Sequence, residues 1–181
     1  AGVAAGMCIN VVQHDLTSFA GVAPIIIYLA DDEKVVSFDG VGRWPHRASV
    51  DYFLKYKNGK FKPGIDYCIV PAAVDSWITS LQKYGTMTFE AVVNYALKYA
   101  RDGFSISYFM NIILEQEFNT FKSWPTNAQI FSPNGRPLKP GELLIQKDLA
   151  NTLEKMILIE KSSKGSREER LNAVRNYFYK G

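Results

Sequence analysis

The sequence is poor in the residues that build metal sites and disulfide frameworks. Its 181 residues include two cysteines, Cys8 and Cys68, and two histidines, His14 and His46. Two cysteines are too few for a disulfide scaffold, and each lies among apolar neighbours, where a buried free thiol is the usual outcome. The cysteines and histidines also show no zinc-ligand spacing. We therefore expect inert thiols and no metal site.

The sequence also lacks a long apolar run and an excess of one charge. An apolar run such as residues 23–30 is far shorter than the roughly 20 residues that cross a bilayer as a helix. The net charge of +3 comes from 21 basic and 18 acidic residues. These are scattered, without the basic stripe of a nucleic-acid-binding protein. We expect no membrane span and no nucleic-acid partner.

What is present is the composition of an ordinary folded protein. Hydrophobic residues make up 47% and charged residues 22% of the chain, which excludes disordered, collagen-like and coiled-coil proteins. A chain of this length can bury about 70% of its extended surface in one core. The apolar pattern is already under way at Ala1, so we expect residues 1–181 to be a single unit cut from a longer precursor.

Residues 1–45 predict a helix followed by a β-hairpin. Small and apolar residues recur at helical spacing from Val3 to Val11. The β-branched run at residues 25–29 and the segment at residues 35–38 flank an acidic turn, which is typical of a hairpin. Because its first strand is apolar throughout, we expect that strand to be buried on both faces.

Residues 46–181 predict a largely helical portion, so the fold class is α+β and mostly α. The clearest helix starts after Thr88, which can cap it, and stops at Gly103. The last helix starts with a capping box formed by Ser166 and Glu169.

Two stretches of this portion have weaker patterns. Residues 65–70 resemble a short strand. A helix that opens at Ser105 or Ser107 should continue through Phe121, and Trp124 with Pro125 should close it.

One polar stretch combines a base, a carboxylate and hydroxyl groups. It contains His14, Asp15, Thr17 and Ser18. Such groups can form a nucleophile and its base, but residues this close in sequence point in different directions unless the backbone turns tightly. The alternative is a polar loop whose side chains cap backbone groups, and the residue types favour that interpretation.

Arg43 is the candidate binding residue. It follows Gly40 and Gly42 and precedes Trp44, in a loop where flexible backbone lets a ligand approach closely. Its planar guanidinium suits a carboxylate. The alternative is a structural arginine, paired with Asp39 or stacked on Trp44. The sequence leaves both interpretations open.

Several short motifs follow one another along nearly the whole chain. They lie at residues 39–45, 70–77, 84–89, 100–104, 135–142, 144–153 and 177–181. Each motif alone is modest, but their joint order resembles the large-subunit region of the gamma-glutamyltransferase family.

The resemblance implies an autoprocessing amide hydrolase or acyl transferase with the four-layer αββα sandwich of N-terminal-nucleophile hydrolases. Residues 1–45 would supply a helix and hairpin of its core, and residues 46–181 its helical portion. The nucleophilic threonine would lie beyond Gly181, on a small subunit that completes the pocket for an amide or gamma-glutamyl substrate. Its own amine can serve as the base, so no histidine is required. This chain would hold no catalytic residue, be inert alone and need no cofactor.

Two departures from the family pattern favour its amidohydrolase or acylase branch. Val41 and Gly42 stand where gamma-glutamyl-specific members carry an Arg-Glu pair, and Arg43 is displaced by two residues. The glycine-rich run before the first strand is reduced, at residues 19–23. Arg43 remains the candidate for binding a substrate carboxylate. The alternative function is a non-catalytic helical module that binds a ligand or partner through the loop around Arg43 and Trp44.

Overall fold

A computed structural model describes residues 1–61 and 64–181. The chain forms two units, one made of Ala1–Ser18 with Trp77–Gly181 and the other of Phe19–Ser76. The helices are α1 (Gly2–Val12), α2 (Val50–Lys57), α3 (Ala73–Tyr84), α4 (Phe89–Asp102), α5 (Tyr108–Gln116), α6 (Phe118–Phe121), α7 (Pro125–Phe131), α8 (Lys147–Ser162) and α9 (Arg167–Lys180). The strands are β1 (Ile25–Leu29), β2 (Lys34–Phe38), β3 (Phe104–Ser105) and β4 (Leu143–Leu144).

The first unit is built around α4, which packs against α1 and α8, while α9 packs against α8. The cap at Thr88 is confirmed, because its hydroxyl accepts a hydrogen bond from the Ala91 amide at 3.2 Å. Gly103 ends the helix as expected. One face of α4 is fully buried, and burying each large apolar side chain contributes about 1.5–3 kcal/mol. That face consists of Phe89, Val92, Val93, Ala96, Leu97 and Ala100.

Two charged side chains stabilise helix ends in this unit. The Glu160 carboxylate, only 4% exposed, accepts hydrogen bonds from the amides of Phe89 at 2.7 Å and Glu90 at 2.9 Å. Arg167 donates to the carbonyl oxygens of Leu81 and Gln82 at the end of α3. Helix ends leave backbone groups unpaired, and Glu160 supplies a partner to two amides at the start of α4. The Arg167 guanidinium adds a partner at the end of α3, where the Leu81 carbonyl oxygen also accepts from the Gly85 amide at 2.9 Å.

Trp77 in α3 anchors α1. Its indole covers Gly6 so closely that a Cβ at Gly6 would overlap the ring. The indole nitrogen donates to the side-chain oxygen of Asn10 at 2.8 Å, and the Asn10 amide donates to the Thr17 hydroxyl at 3.1 Å. The small-residue face of α1 is therefore needed for close packing.

The expected long helix through Phe121 is wrong, because that segment breaks into two helices, α5 and α6, and a third, α7, follows. The first, α5, is capped by the Ser107 hydroxyl, which accepts from the Met110 amide at 3.1 Å, and ends at Gln116. Pro125 opens α7 instead of closing the preceding helix, since a proline fits the first turn, where no amide donor is required.

A second two-stranded sheet was not predicted from the sequence. Strands β3 and β4 pair antiparallel, Phe104 with Leu144 and Ser105 with Leu143. Each strand has two residues, too few to show an alternating pattern. The sheet lies beside an apolar cluster. That cluster consists of Ile106, Met110, Leu114, Leu138 and Leu144, with Phe104, Phe121, Ile130 and Phe131 packed against it.

In the second unit the predicted hairpin is confirmed. Strands β1 and β2 pair antiparallel, with Ile25 opposite Phe38 and Leu29 opposite Lys34. Burial of β1 on both faces is wrong, because Ile26 is 77% and Tyr28 63% exposed. The expected strand at residues 65–70 is also wrong over most of its length, since Ile65–Tyr67 forms a 3-10 turn.

Both cysteines are free thiols, as expected. Cys8 is half-buried, and burial raises the pKa of its thiol. Cys68 is exposed, so its expected burial is wrong. Its Sγ donates only a long contact of 3.7 Å to the Gly64 carbonyl oxygen. Apolar neighbours in sequence therefore do not ensure that a cysteine is buried.

Candidate functional site

Backbone hydrogen bonds on both sides fix the loop that carries Arg43. The Ala23 amide donates to the Gly40 carbonyl oxygen at 2.9 Å, just before β1. The Val70 amide donates to the Arg43 carbonyl oxygen at 2.7 Å, and these two residues form an antiparallel bridge. The loop is thus held between the start of the hairpin and the segment that leads into α3.

Glycine is required at two positions of this loop. Gly40 has a φ of +56° and Gly42 a φ of +86°, values that side chains rarely tolerate. A Cβ at Gly40 would overlap the carbonyl oxygen of Ala23, and one at Gly42 would overlap that of Val70. Both glycines therefore permit a backbone approach that no other residue allows.

The Arg43 side chain is exposed. The structural alternatives for it, an ion pair with Asp39 or stacking on Trp44, are absent from the described part of the chain. Trp44 instead packs edge-on against Phe53 and Phe61, with ring centroids 5.6 Å away in both cases. Among residues 1–61 and 64–181, no side chain pairs with the Arg43 guanidinium. The group is available to an anionic ligand.

The charges near Arg43 in the sequence are mostly positive. His46 and Arg47 are exposed. Lys57 differs, because its ammonium lies 3.1 Å from a carboxylate oxygen of Asp66. The hydrogen bond to Asp66 raises the pKa of Lys57. Among these exposed basic residues, Arg43 forms the backbone bridge to Val70.

The polar stretch around His14 forms no nucleophile and base. The His14 ring contacts the Val11 carbonyl oxygen at 3.2 Å and stacks on Phe131 at 5.0 Å. Thr17 bonds to Asn10, and Gln13 donates to Asp15 at 2.8 Å. No hydrogen bond among these described residues joins His14 to the hydroxyl of Thr17. The contacts are those of a packed polar loop, and the expected capping of a backbone group is seen at His14, whereas Thr17 and Asp15 bond to other side chains.

Electrostatics at His14 agree with a packing role. Burial lowers the pKa of the His14 imidazole, against weaker opposing effects from the Val11 carbonyl and Asp15. A neutral imidazole stacks well on an aromatic ring. In the described ranges, no group of three or more His, Cys, Asp or Glu side chains could hold a metal ion, and none of the helices there is long and apolar enough to cross a membrane.

The bridge between Arg43 and Val70 was not predicted from the sequence. An isolated bridge pairs one residue from each segment, so it leaves no alternating pattern. The signal that could have indicated it is Gly42, since a glycine in an extended segment often marks close approach of another backbone.

Comparison with known families shows to which family the chain belongs. The family model described as Gamma-glutamyltranspeptidase matches residues 1–165. The chain belongs to the gamma-glutamyltranspeptidase family. The resemblance drawn from the loop motifs is thereby confirmed.

Curated members of the gamma-glutamyltranspeptidase family include hydrolases and acylases. The chain is 32% identical over 154 residues to the glutathione hydrolase-like YwrD proenzyme of Bacillus subtilis, covering 84% of this chain and 29% of the relative. It is 30% identical over 165 residues to the acylase ACY 1 proenzyme of a Pseudomonas species, covering 85% of this chain and 29% of that relative. The chain therefore spans less than a third of these relatives.

Two solved structures share this fold. The Helicobacter pylori gamma-glutamyltranspeptidase matches with a TM-score of 0.79 and 28% identity, over 88% of this chain and 47% of that one. Cephalosporin acylase from Bacillus halodurans matches with a TM-score of 0.82 over 99% of this chain and 32% of that one. At 19% identity the second likeness concerns the fold alone.

Proposed function

We propose that this chain is part of the large subunit of an autoprocessing amide hydrolase or acyl transferase, and that it supplies scaffold and part of the substrate pocket. The observation that carries the proposal is the family match over residues 1–165. The relatives named as proenzymes support cleavage of the precursor. The small subunit that results is the proposed partner.

The chemistry would reside on that small subunit. Cleavage exposes a threonine whose hydroxyl attacks the amide carbon while its own amine accepts the proton. The amine of the substrate leaves, and water or another amine then takes the acyl group. The scarcity of histidine in this chain suits such a mechanism, since the nucleophile and the base belong to one residue.

The proposed architecture is the four-layer αββα sandwich. Residues 1–45 would contribute a core helix and hairpin, and residues 46–181 the helical portion. Support comes from the hairpin itself, whose outer face exposes Ile26, Tyr28 and Val35. A two-stranded hairpin is marginal in water unless further strands or a helix pack on it. Additional strands of the sandwich would cover that face.

For the substrate, the proposal is an amide whose acyl part ends in a carboxylate that Arg43 binds. The exposed guanidinium of Arg43 and its lack of a partner among the described residues support this role. Gly42 carries no side chain that could receive the α-ammonium of a gamma-glutamyl group. The acylase branch is therefore the preferred assignment.

The first experiment tests processing of the complete protein. We expect the purified precursor to convert into two polypeptides, and amino-terminal sequencing of the smaller one to begin with threonine. Replacing that threonine by alanine should leave one uncut band without amidase activity. An unaltered single band from the native protein, with ligand binding retained, would instead indicate a non-catalytic module.

The second experiment tests Arg43 with three p-nitroanilides, carrying glutaryl, gamma-glutamyl and valeryl groups. The glutaryl and valeryl groups differ by the carboxylate, and the gamma-glutamyl group adds an ammonium. Arg43→Ala should lower kcat/KM for the glutaryl compound by about tenfold or more and change that for the valeryl compound less than about threefold. Arg47→Ala removes an exposed charge nearby and is the matched control. A loss below about threefold on the glutaryl compound would exclude the role.

A further inference from the structure

The side chain of Arg43 is not held by its surroundings. It is exposed, and the described part of the chain contains no group that pairs with it. An arginine carries several rotatable bonds, so a ligand that orders the whole residue bears an entropic cost. That cost is smaller where the backbone is already fixed. The backbone at Arg43 is fixed on one side by the bond from the Val70 amide, 2.7 Å long.

This bond depends on Gly42. A Cβ at Gly42 would overlap the Val70 carbonyl oxygen and would lie 3.1 Å from Cδ1 of Ile69. Because Ile69 and Val70 are consecutive residues, both would have to move away from Gly42. The Val70 amide, which donates to Arg43, would move with them.

We propose that Gly42 and the Val70 amide are positioning groups for Arg43, and that they set the preference of the enzyme for carboxylate-bearing amides. The inference rests on the proposed function of Arg43. Neither group touches the substrate. Gly42 permits the loop that carries Arg43 to approach the segment that contains Val70. The Val70 amide then fixes the backbone carbonyl of Arg43, so that the side chain extends from a fixed backbone position.

The chain offers a matched control for the strain at Gly42. Gly59 lies in the same unit with a φ of +67°, but among the described residues a Cβ there would meet just Cδ2 of Leu54, at 3.6 Å, an ordinary contact. Alanine at Gly59 therefore introduces the backbone strain without the displacement. Alanine at Gly42 introduces both.

The test compares Gly42→Ala and Gly59→Ala in the complete, processed enzyme, with glutaryl and valeryl p-nitroanilide. We expect Gly42→Ala to lower kcat/KM for the glutaryl compound by about tenfold, mainly through KM, and that for the valeryl compound by less than about threefold. Gly59→Ala should leave both within about threefold. Equal losses on the two compounds with Gly42→Ala would overturn the inference, because they would indicate a general structural role.

A double-mutant cycle supplies the second readout. In the background of Arg43→Ala, Gly42→Ala should cost less than about twofold on the glutaryl compound, since no guanidinium remains to be positioned. Additive losses would contradict the proposal. If Arg43→Ala alone has no effect, the proposed function of Arg43 fails. If Arg43→Ala is selective and Gly42→Ala is not, only the positioning inference fails.

A second pair of variants applies if Gly42→Ala prevents folding or processing. Val70→Pro removes the amide donor, whereas Val70→Ala keeps it while trimming the side chain. We expect the selective loss on the glutaryl compound with Val70→Pro and not with Val70→Ala. The same loss with both variants would show that the side chain of Val70, rather than its amide, matters and would overturn the inference.

Discussion

At the scale of the residue, His14 illustrates how packing determines the role of a reactive side chain. Its ring stacks on Phe131 and lies edge-on to Phe104, with centroids 6.3 Å apart in the second case. The sequence identified the histidine together with its polar neighbours, but not the aromatic rings, which come from β3 and α7. Local sequence does not reveal contacts between distant segments, so the capping interpretation could be favoured but not established from sequence.

The titration of His14 gives a prediction at this scale. Burial lowers the pKa of the folded-state imidazole below its ordinary value of 6.5. The neutral ring therefore stabilises the fold fully above about pH 6.5, and this contribution is lost as the pH falls through the lowered pKa. We expect Tm to decrease on going from pH 7.5 to 5.5, and His14→Gln to reduce that decrease. Thermal melts of the native protein and of His14→Gln at several pH values measure this difference in Tm.

The control for this prediction is His46→Gln, which changes the exposed histidine of the chain. Its pH dependence should follow that of the native protein. If His14→Gln leaves the slope of Tm against pH as steep as in the native protein, the neutral buried imidazole is not what stabilises the fold.

At the scale of the element, helices with local signals were predictable. Helix α4 has its cap at Thr88 and its stop at Gly103, and α9 has the capping box of Ser166 and Glu169 that the structure contains. The break after Gln116 was not predictable, because apolar spacing continues through it. The role of Glu160 was not predictable either, because this residue stabilises α4 from a separate helix.

Glu160 provides the prediction for elements. Its carboxylate accepts from two amides at the start of α4, and its removal leaves both without that partner. We expect Glu160→Ala to lower the free energy of unfolding of the complete protein by about 2–4 kcal/mol, measured by denaturant melts.

The matched control on the same helix is Glu154→Ala. Glu154 pairs with Arg101 at 3.3 Å, and its side chain is 42% exposed. Exposed pairs contribute about 0–1 kcal/mol, so the control should cost less than Glu160→Ala. Similar costs for the two variants would mean that the buried carboxylate does not hold the start of α4.

At the scale of the whole molecule, the hairpin carries the prediction. Ile26 is 77% exposed in this chain, and the proposed sandwich would cover it. Ile26→Thr keeps a β-branched side chain while making it polar. If further strands cover the face, this change should lower the free energy of unfolding of the complete protein by about 1–3 kcal/mol. A change within about 0.5 kcal/mol, as at an ordinary surface position, would contradict the proposed architecture.

The family and the capped helices could be predicted from sequence motifs, but the Arg43 site could be predicted only in part. Residues 39–45 indicated a shaped loop, because Gly40, Gly42 and Pro45 break the strand pattern, but left open whether Arg43 is a structural or a binding residue. The predicted strand at residues 65–70 is reduced to a bridge at Val70, and its partner Arg43 was not predicted. A single backbone bond between separate segments depends on the tertiary structure and has no pattern along the chain.

The indole of Trp77 gives the protein a built-in optical reporter. Trp44 and Trp124 are 45% and 40% exposed, whereas the Trp77 ring lies against Gly6 and its nitrogen bonds to Asn10. Replacing the two more solvent-accessible indoles of this chain by phenylalanine would leave an emission spectrum that reports on the seating of α1. The release of α1 from Trp77 could then be followed in time, separately from the unfolding of the other helices and strands.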